Sequence, residues 1–329
     1  MFLASKDREN NHYICGTNVF LMAKTKLAYH ALAFFVVAVW GVTFICTKVL
    51  INAGLLPAQI FAIRFTVAYA GLWILAAVSR EGTTLWSRNL KDELLFLYLG
   101  VTGGSLYFLA ENTALSCTQA SNVSFLVCSA PLMTLLLTLA YRKLFKGRLA
   151  DGMENVRIGW PLITGTLLAL GGMAAVLFDG NAVEFSLKGD LLAIATALCW
   201  ACYSLFMGQM TNEYGAVFAT RKSFFYGLIT IVPFVTGRGL DLSVLARPEV
   251  WGNLLFLSVM ASLVCFVAWN KVMSKLGNVT STNYVYLNPF FTLVGAVVFL
   301  GESLTVQSAI GCAAIVIGVA LSARSPGSH

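Results

Sequence analysis

The stretch LAYHALAFFVVAVWGVTFICTKVL, residues 27–50, decides the class of fold. It contains 24 residues, and its only basic side chains are His30 and Lys48. A helix needs about 20 consecutive, mostly apolar residues to cross a lipid bilayer. Residues 27–50 are therefore predicted to form a transmembrane helix.

The composition of the whole chain is that of a membrane protein. Of its 329 residues, 58% are hydrophobic and 11% are charged, whereas charged residues make up about 25% of a soluble domain. Mean hydropathy is +0.78. These values disfavour a soluble enzyme, a nucleic-acid-binding protein and a disordered protein. The net charge of +7 is better explained by Lys and Arg that face the cytoplasm than by binding to nucleic acid.

Nine further apolar stretches follow the first, which predicts an all-α integral membrane fold. The ten predicted transmembrane helices cover residues 27–50, 58–79, 93–115, 119–141, 158–178, 189–210, 216–236, 250–273, 279–300 and 304–322. Residues 1–26 are polar and lack the order of a signal peptide. They are expected to be an N-terminal tail, and Met22 offers a second start within it.

The positions of Lys and Arg predict the topology. If the N-terminus is cytoplasmic, fifteen of the 22 basic residues lie in cytoplasmic segments and four in outer loops. Cytoplasmic loops are enriched in Lys and Arg. Both termini, including the tail 323–329, are therefore predicted to be cytoplasmic. The three remaining basic residues, Arg64, Arg221 and Lys222, lie within predicted helices.

The two halves of the chain resemble each other in sequence. Offsets of 158, 160 and 146 residues align the third and fourth helices with the eighth and ninth, the first with the sixth, and the fifth with the tenth. The matches include Asn112/Asn270, Pro131/Pro289, Trp40/Trp200, Gly165/Gly311 and Gly172/Gly318. Each half, 27–178 and 189–322, holds five predicted helices. Because five is an odd number, the second half begins on the opposite side of the membrane and has the inverted topology. Two inverted-topology repeats are typical of secondary transporters, which bind substrate near mid-membrane between the repeats.

Several of these residues also resemble a known family. Asn-Tyr-Val-Tyr-Leu-Asn-Pro at residues 283–289 leads to Phe-Leu-Gly-Glu-Ser-Leu at residues 299–304, and Ala-Val-Trp-Gly stands at residues 38–41. The chain resembles the EamA family of the drug/metabolite transporter superfamily over about residues 27–322. The resemblance implies a ten-helix carrier in the inner (cytoplasmic) cell membrane, often an exporter of amino acids or other small metabolites.

Aromatic and polar side chains near mid-membrane are the candidate substrate-binding residues, because polar groups are costly to bury in a membrane and are therefore functional candidates by default. Pro131 and Pro289 are predicted to bend their helices and expose carbonyl groups to a central cavity. The alternative is that the polar side chains hold helices together. The predicted substrate-binding residues are Trp40, Trp200, Asn112, Asn270, Tyr284 and Asn288.

Four charged residues within predicted helices are candidates for coupling or gating. Arg64 and Glu111 lie at similar depth, and we expect them to pair or to line an outer vestibule; the alternative is that both reach to the interface. Glu111 is the leading candidate for proton coupling, because a buried carboxyl group is costly to keep charged. Arg221 and Lys222 are expected to reach the cytoplasm, or otherwise to form an inner gate.

Cysteine and histidine give no sign of metal or redox chemistry. The eight cysteines lie mostly in apolar stretches and indicate buried hydrophobic side chains rather than disulfides. Cys199 and Cys202 have the spacing of a redox motif, but a thiolate is costly in an apolar stretch. The histidines, His12, His30 and His329, have no usual zinc-site spacing. No cofactor or metal is expected, and the absence of a Gly-rich phosphate loop disfavours ATP drive.

The sequence thus predicts a secondary-active transporter, favoured as an exporter, that moves small organic metabolites such as amino acids by alternating access. It is not expected to be an enzyme. Two other classes stay open: a lipid-modifying membrane enzyme, and a membrane scaffold or sensor without flux. The expected partners are a small-molecule substrate and the lipid bilayer, with a proton or another ion as coupling partner. The substrate, direction, coupling ion and choice between monomer and homodimer are left open.

Overall fold

The computed structural model describes residues 6–151, 153, 158–178, 186–235, 239, 242–300 and 305–322, and it contains helices and no strands over those residues. This confirms the predicted all-helical fold. The helices of the first half are α1 Lys6–Asn52, α2 Pro57–Ser79, α3 Leu90–Gly100, α4 Leu106–Cys117, α5 Ala120–Val127, α6 Ala130–Leu144, α7 Arg148–Asp151 and α8 Trp160–Leu177.

The second half continues in the same manner. Its helices are α9 Leu187–Tyr214, α10 Ala216–Val235, α11 Leu242–Leu245, α12 Pro248–Leu255, α13 Cys265–Leu276, α14 Asn278–Thr282, α15 Asn288–Leu300 and α16 Val306–Ser322. Two π-helical segments join neighbouring helices, Val101–Ser105 between α3 and α4 and Phe256–Val264 between α12 and α13. A 3₁₀ turn, Asn283–Leu287, joins α14 to α15.

Helix ends follow local chemistry. Helix α2 begins at Pro57, a position whose N–H would have no hydrogen-bond partner within the helix in any case. The side chain of Asn89 caps α3 by accepting a hydrogen bond from the backbone N–H of Asp92 at 2.8 Å. Gly215 and Gly277 follow α9 and α13 with φ of 84° and 91°, a conformation that favours glycine.

Six helical stretches in the described residues are long and apolar enough to cross a membrane. They are Lys26–Asn52, Pro57–Ser79, Leu90–Cys117, Asn122–Leu144, Leu187–Tyr214 and Pro248–Leu276. Two shorter apolar helices are Trp160–Val176 and Val306–Ser322. The prediction of ten transmembrane helices is therefore met only in part. The two other predicted stretches are helical, but Arg221 and Lys222 lower the hydropathy of α10, and residues 278–300 are divided into three short helices.

The helices of one half pack mainly against helices of the other. The largest contacts join α8 to α16, α4 to α9, α2 to α10, α1 to α15, α3 to α10 and α6 to α9. In the α8–α16 pair the backbones approach at glycine. A methyl group added at Gly165 would lie 2.6 Å from the carbonyl oxygen of Gly318, and one at Gly172 would lie 2.5 Å from that of Gly311. Small residues at such crossings allow close packing of membrane helices.

Candidate substrate cavity

A cavity of about 30 Å³ lies between the two halves. A water molecule needs about 10–15 Å³ of such space, so the cavity has room for about two waters. An organic solute would require it to widen. The lining residues come from α1, α2, α4, α5, α9, α13, the 3₁₀ turn and α15, and they are Trp40, Thr43, Phe44, Arg64, Tyr107, Phe108, Glu111, Val127, Trp200, Phe266, Val285 and Asn288.

Aromatic rings from both halves form one wall of the cavity. The centroid of the Trp40 ring lies 5.3 Å from that of Trp200, with an angle of 90° between the ring planes. The centroid of Phe266 lies 5.4 Å from that of Trp40. The indole N–H of Trp40 donates to the carbonyl oxygen of Ala261 at 3.0 Å. Edge-to-face contacts such as the one between Trp40 and Trp200 are favourable at this distance. Trp40 of α1 is thereby fixed against α9, α13 and the second π segment.

Arg64 contributes a buried positive charge to the cavity. Its side chain is 3% exposed. Its Nε donates to the carbonyl oxygen of Leu257 at 3.1 Å and to Oγ of Ser262 at 2.6 Å. The guanidinium also lies 4.8 Å from the centre of the Phe108 ring. A buried charge needs such partners.

Glu111 contributes the opposite charge. It is 7% exposed, and its Oε1 accepts a hydrogen bond from the Tyr107 hydroxyl at 2.9 Å. Arg64 and Glu111 both line the cavity, but in the described residues no ion pair within 4.0 Å joins them. Tyr107, which also packs 5.4 Å from Trp200, is a lining residue that the sequence analysis did not single out.

Asn288 and the two prolines lie at helix breaks. Asn288 lines the cavity at the start of α15, and its buried Oδ1 has no hydrogen-bond partner in the described residues. The same holds for the indole N–H of Trp200. Pro289 follows Asn288 directly, and Pro131 lies in the first turn of α6, just after α5 ends. Both prolines therefore stand where a predicted helix is interrupted.

The other three predicted substrate-binding residues lie outside the cavity lining and bridge helices. Asn112 donates to the carbonyl oxygen of Pro57 at 3.1 Å. Tyr284 shares a hydrogen bond of 2.7 Å with Nδ1 of His30. Asn270 bonds to Tyr203 and Thr220. This is the arrangement expected if polar residues hold helices together.

Asn270 connects three helices of the second half. Its Oδ1 accepts from the Tyr203 hydroxyl at 2.7 Å, and its Nδ2 donates to Oγ1 of Thr220 at 2.8 Å. The residue is completely buried. Both polar atoms of its amide are therefore bonded, and they join α13 to α9 and α10.

The two π segments occupy corresponding places in the two halves. Leu106 N–H donates to the carbonyl of Val101, five residues back, and Cys265 N–H donates to that of Met260, also five residues back. The offset of 158 residues that aligns the halves places Val101 on Val259, within the second segment. Neither segment is predictable from the sequence, because no residue type marks a π turn. Such turns are frequent at functional sites.

A charged cluster, defined here as Asp92, Glu93, Arg148, Glu213 and Lys222, joins the halves at the end of the bundle away from Glu111. Lys222 forms an ion pair with Glu93. Arg148 bridges Asp92 at 2.5 Å and Glu213 at 3.0 Å. Glu93 precedes Glu111 by 18 residues on the same run of helices, or about 27 Å at 1.5 Å per residue.

Arg221 and Lys222 do not extend to the surface, contrary to the expectation that they reach the cytoplasm. They are 2% and 3% exposed. Arg221 lies 4.0 Å from the centre of the Trp73 ring and donates to the carbonyl oxygen of Thr84. Both cations are thus held by the segment that joins α2 to α3 and by the start of α3.

Comparison with known proteins identifies the relatives of this arrangement. The EamA-like transporter family matches residues 27–146 and 187–324. An uncharacterized transporter of Archaeoglobus fulgidus is 27% identical over 300 residues, which cover 89% of this chain and 96% of that protein. A probable terminal-alkyne amino-acid exporter of Streptantibioticus cattleyicolor is 24% identical, over 78% of this chain and 81% of its own. One crystal structure superposes with a TM-score of 0.65 at 19% identity, over 91% of this chain and 96% of its own, and shows the same fold.

Proposed function

We propose, from the premise that this chain belongs to the EamA-like transporter family, that it exports small zwitterionic solutes such as amino acids. The family and its transporter relatives make the chain a multi-pass membrane transporter. The substrate, the direction and the mechanism are the proposal. Its main support is the presence of Arg64 and Glu111, with no ion pair between them in the described residues, in one cavity lined by aromatic rings.

The charges of the cavity favour a solute that carries both signs. Arg64 would bind a carboxylate through charge-assisted hydrogen bonds, the strong form of this contact. Glu111 would bind an ammonium group, and the rings of Trp40 and Trp200 would add attraction to that cation. A solute with a single charge would pair with only one of these two residues. The other would stay buried without a counter-charge, which is costly.

Alternating access between two halves is the proposed mechanism. The halves are 27–178 and 189–322, between a cytoplasmic N-terminal tail, 1–26, and a cytoplasmic C-terminal tail, 323–329. The two separate family matches and the paired glycines of α8 and α16 support ten helices in two inverted repeats. The small cavity corresponds to a closed state. The excess of Lys and Arg supports a cytoplasmic position for the charged cluster, where it would act as the inner gate.

Export and proton coupling complete the proposal. Export is supported by the relative named as a probable amino-acid exporter. Glu111, whose carboxylate bonds the Tyr107 hydroxyl inside the cavity, is the candidate proton carrier. Ten helices hold both repeats in one chain, and a monomer would be sufficient in the inner membrane.

Counterflow in proteoliposomes tests the proposal. Vesicles are loaded with unlabelled leucine, phenylalanine, serine and threonine, and the uptake of each labelled amino acid is followed with and without a pH gradient. Matched probes lack one charge, namely the amino-acid carboxamide and the α-hydroxy acid. We expect exchange of the zwitterion and weak exchange of both probes. Folded protein that exchanges none of the amino acids would overturn the proposal, and equal exchange of the probes would remove the role of paired charges.

A further inference from the structure

The second π segment, Phe256–Val264, supplies hydrogen-bond acceptors to two cavity residues of the other half. The carbonyl oxygen of Leu257 accepts from Arg64 at 3.1 Å, and that of Ala261, four residues later, accepts from Trp40 at 3.0 Å. In a regular α-helix each carbonyl already accepts from the N–H four residues on. A π turn interrupts this register, and interruptions of the helical ladder are places where side chains from outside insert.

Ser262 adds a third acceptor to this segment. It is completely buried, and its Oγ accepts from Nε of Arg64 at 2.6 Å. Ser258, one turn earlier, is also buried but bonds to the turn that precedes it, since its Oγ donates to the carbonyl of Leu254 in α12 at 2.6 Å. The second arrangement is the ordinary one for a helical serine. The hydroxyl of Ser262 is instead directed to a charge in the cavity wall.

Both tethers of Arg64 use Nε. A guanidinium binds a carboxylate in a bidentate manner either through Nε and one terminal nitrogen or through both terminal nitrogens, and the contacts at Nε leave the second arrangement open. Holding the side chain at Nε fixes the plane of the guanidinium without using the terminal nitrogens. Preorganisation of a binding side chain by a neighbouring buried group raises affinity, because less freedom is lost on binding.

We propose that Ser262 is a positioning residue, which holds Arg64 so that its terminal nitrogens bind the carboxylate of the substrate. The inference rests on the proposed function and adds to it a specific role for the second π segment. Ser262 in the second half would then set the affinity of Arg64, in the first half, for the substrate carboxylate. Separation of the two halves would break the hydrogen bond between Ser262 and Arg64 and thereby help to release the substrate.

The test compares Ser262→Ala, Ser262→Thr and Ser258→Ala in the full-length protein. The substrate is whichever of leucine, phenylalanine, serine and threonine the wild type exchanges fastest, and the second probe is the carboxamide of that amino acid. We expect Ser262→Ala to raise KM for the amino acid about tenfold, the effect of one hydrogen bond to a charged group. The maximal rate and the KM for the carboxamide should change little. Ser262→Thr keeps a hydroxyl and should restore KM, and Ser258→Ala should leave it unchanged.

A second measurement does not depend on transport. Phenylglyoxal modifies arginine, and mass spectrometry of the detergent-solubilised protein gives the rate at Arg64. We expect Ser262→Ala to increase that rate several-fold, and Ser262→Thr and Ser258→Ala to leave it near the wild-type value. Equal effects of Ser262→Ala and Ser258→Ala in both measurements would overturn the inference. Absence of exchange by the wild type would instead reject the proposed function, while the rate at Arg64 would still decide whether Ser262 positions it.

Discussion

Lys222 on α10 forms an ion pair with Glu93 on α3, although 129 residues separate them in the chain. The side chains are 3% and 13% exposed, respectively. Glu93 also accepts hydrogen bonds from the hydroxyl of Tyr226 and from the backbone N–H of Ser87. One carboxylate thus joins α10 to the start of α3 and to the segment before it. The pair connects the two halves at the end that we propose to be cytoplasmic.

Glu93→Gln should destabilise this end of the protein. The change leaves Lys222 buried without its counter-charge, which costs about 3 kcal/mol at the low end of the range for buried pairs. Thermal unfolding in detergent measures the loss. Glu81→Gln is the control, because Glu81 is exposed and no ion pair of its side chain is found in the described residues. Equal midpoints for the two variants would contradict a structural role for the pair.

The same variant tests the inner gate. If the charged cluster closes the cytoplasmic side, Glu93→Gln should favour the state that is open there. A membrane-impermeant thiol reagent added on the cytoplasmic side of inside-out vesicles should then label Cys199, which is buried and neighbours Trp200, faster than in Glu81→Gln. An equal rate of Cys199 labelling in the two variants would show that the charged cluster does not act as a gate.

Gly172→Ala should disrupt the contact between α8 and α16. The new methyl group would lie 2.5 Å from the carbonyl oxygen of Gly311, and backbone cannot easily move away. Overpacking of this kind costs about 1–3 kcal/mol. Gly171→Ala is the matched control, because no heavy atom outside its own helix lies within 4 Å of the added methyl. A thermal midpoint for Gly172→Ala as high as that for Gly171→Ala would show that the helices are not closely packed.

Glu111→Gln should abolish the response of transport to a pH gradient. Glutamine has the same shape and keeps an acceptor for the Tyr107 hydroxyl, so the local packing should survive. We expect uptake driven by a pH gradient to fall to the level seen without the gradient, while the protein stays folded. Tyr107→Phe, which removes the hydroxyl but leaves the carboxylate, should retain a response to the gradient. Full gradient-driven uptake by Glu111→Gln would exclude this residue as the proton carrier.

Asn288→Ala should change KM and Asn270→Ala should change stability, because of these two residues only Asn288 lines the cavity. Loss of Asn270 removes two buried hydrogen bonds, one from the Tyr203 hydroxyl and one to Thr220, and each contributes about 0.5–1.5 kcal/mol. We therefore expect a lower unfolding midpoint for Asn270→Ala, with little change in KM. Asn288→Ala should raise KM and leave the midpoint close to that of the wild type. A reversed pattern would move the binding site towards Asn270.

Within the candidate site, the sequence indicated that Arg64 and Glu111 lie near each other, but not what each of them contacts. Arg64 and Glu111 were expected at similar depth, since helix length fixes position across the membrane, and the structure brings both to one cavity. Whether they would pair depended on where Leu257 and Ser262 lie, and these are 193 and 198 residues from Arg64. Asn112 and Asn270 could not be told from Asn288 by residue type, because the same amide serves to bind a solute or to join helices.

The sequence by itself determined that the chain is a helical membrane protein, with the approximate ends of its apolar helices. This information is local, because lipid requires about 20 apolar residues in succession, and that requirement is visible in any one stretch. Tertiary structure alone decided which side chains surround the cavity, where the π segments form, and that Lys222 is paired with Glu93 rather than extended to the surface. These features depend on packing between helices far apart in the chain, where a buried charge or carbonyl takes whichever partner the neighbouring helix presents.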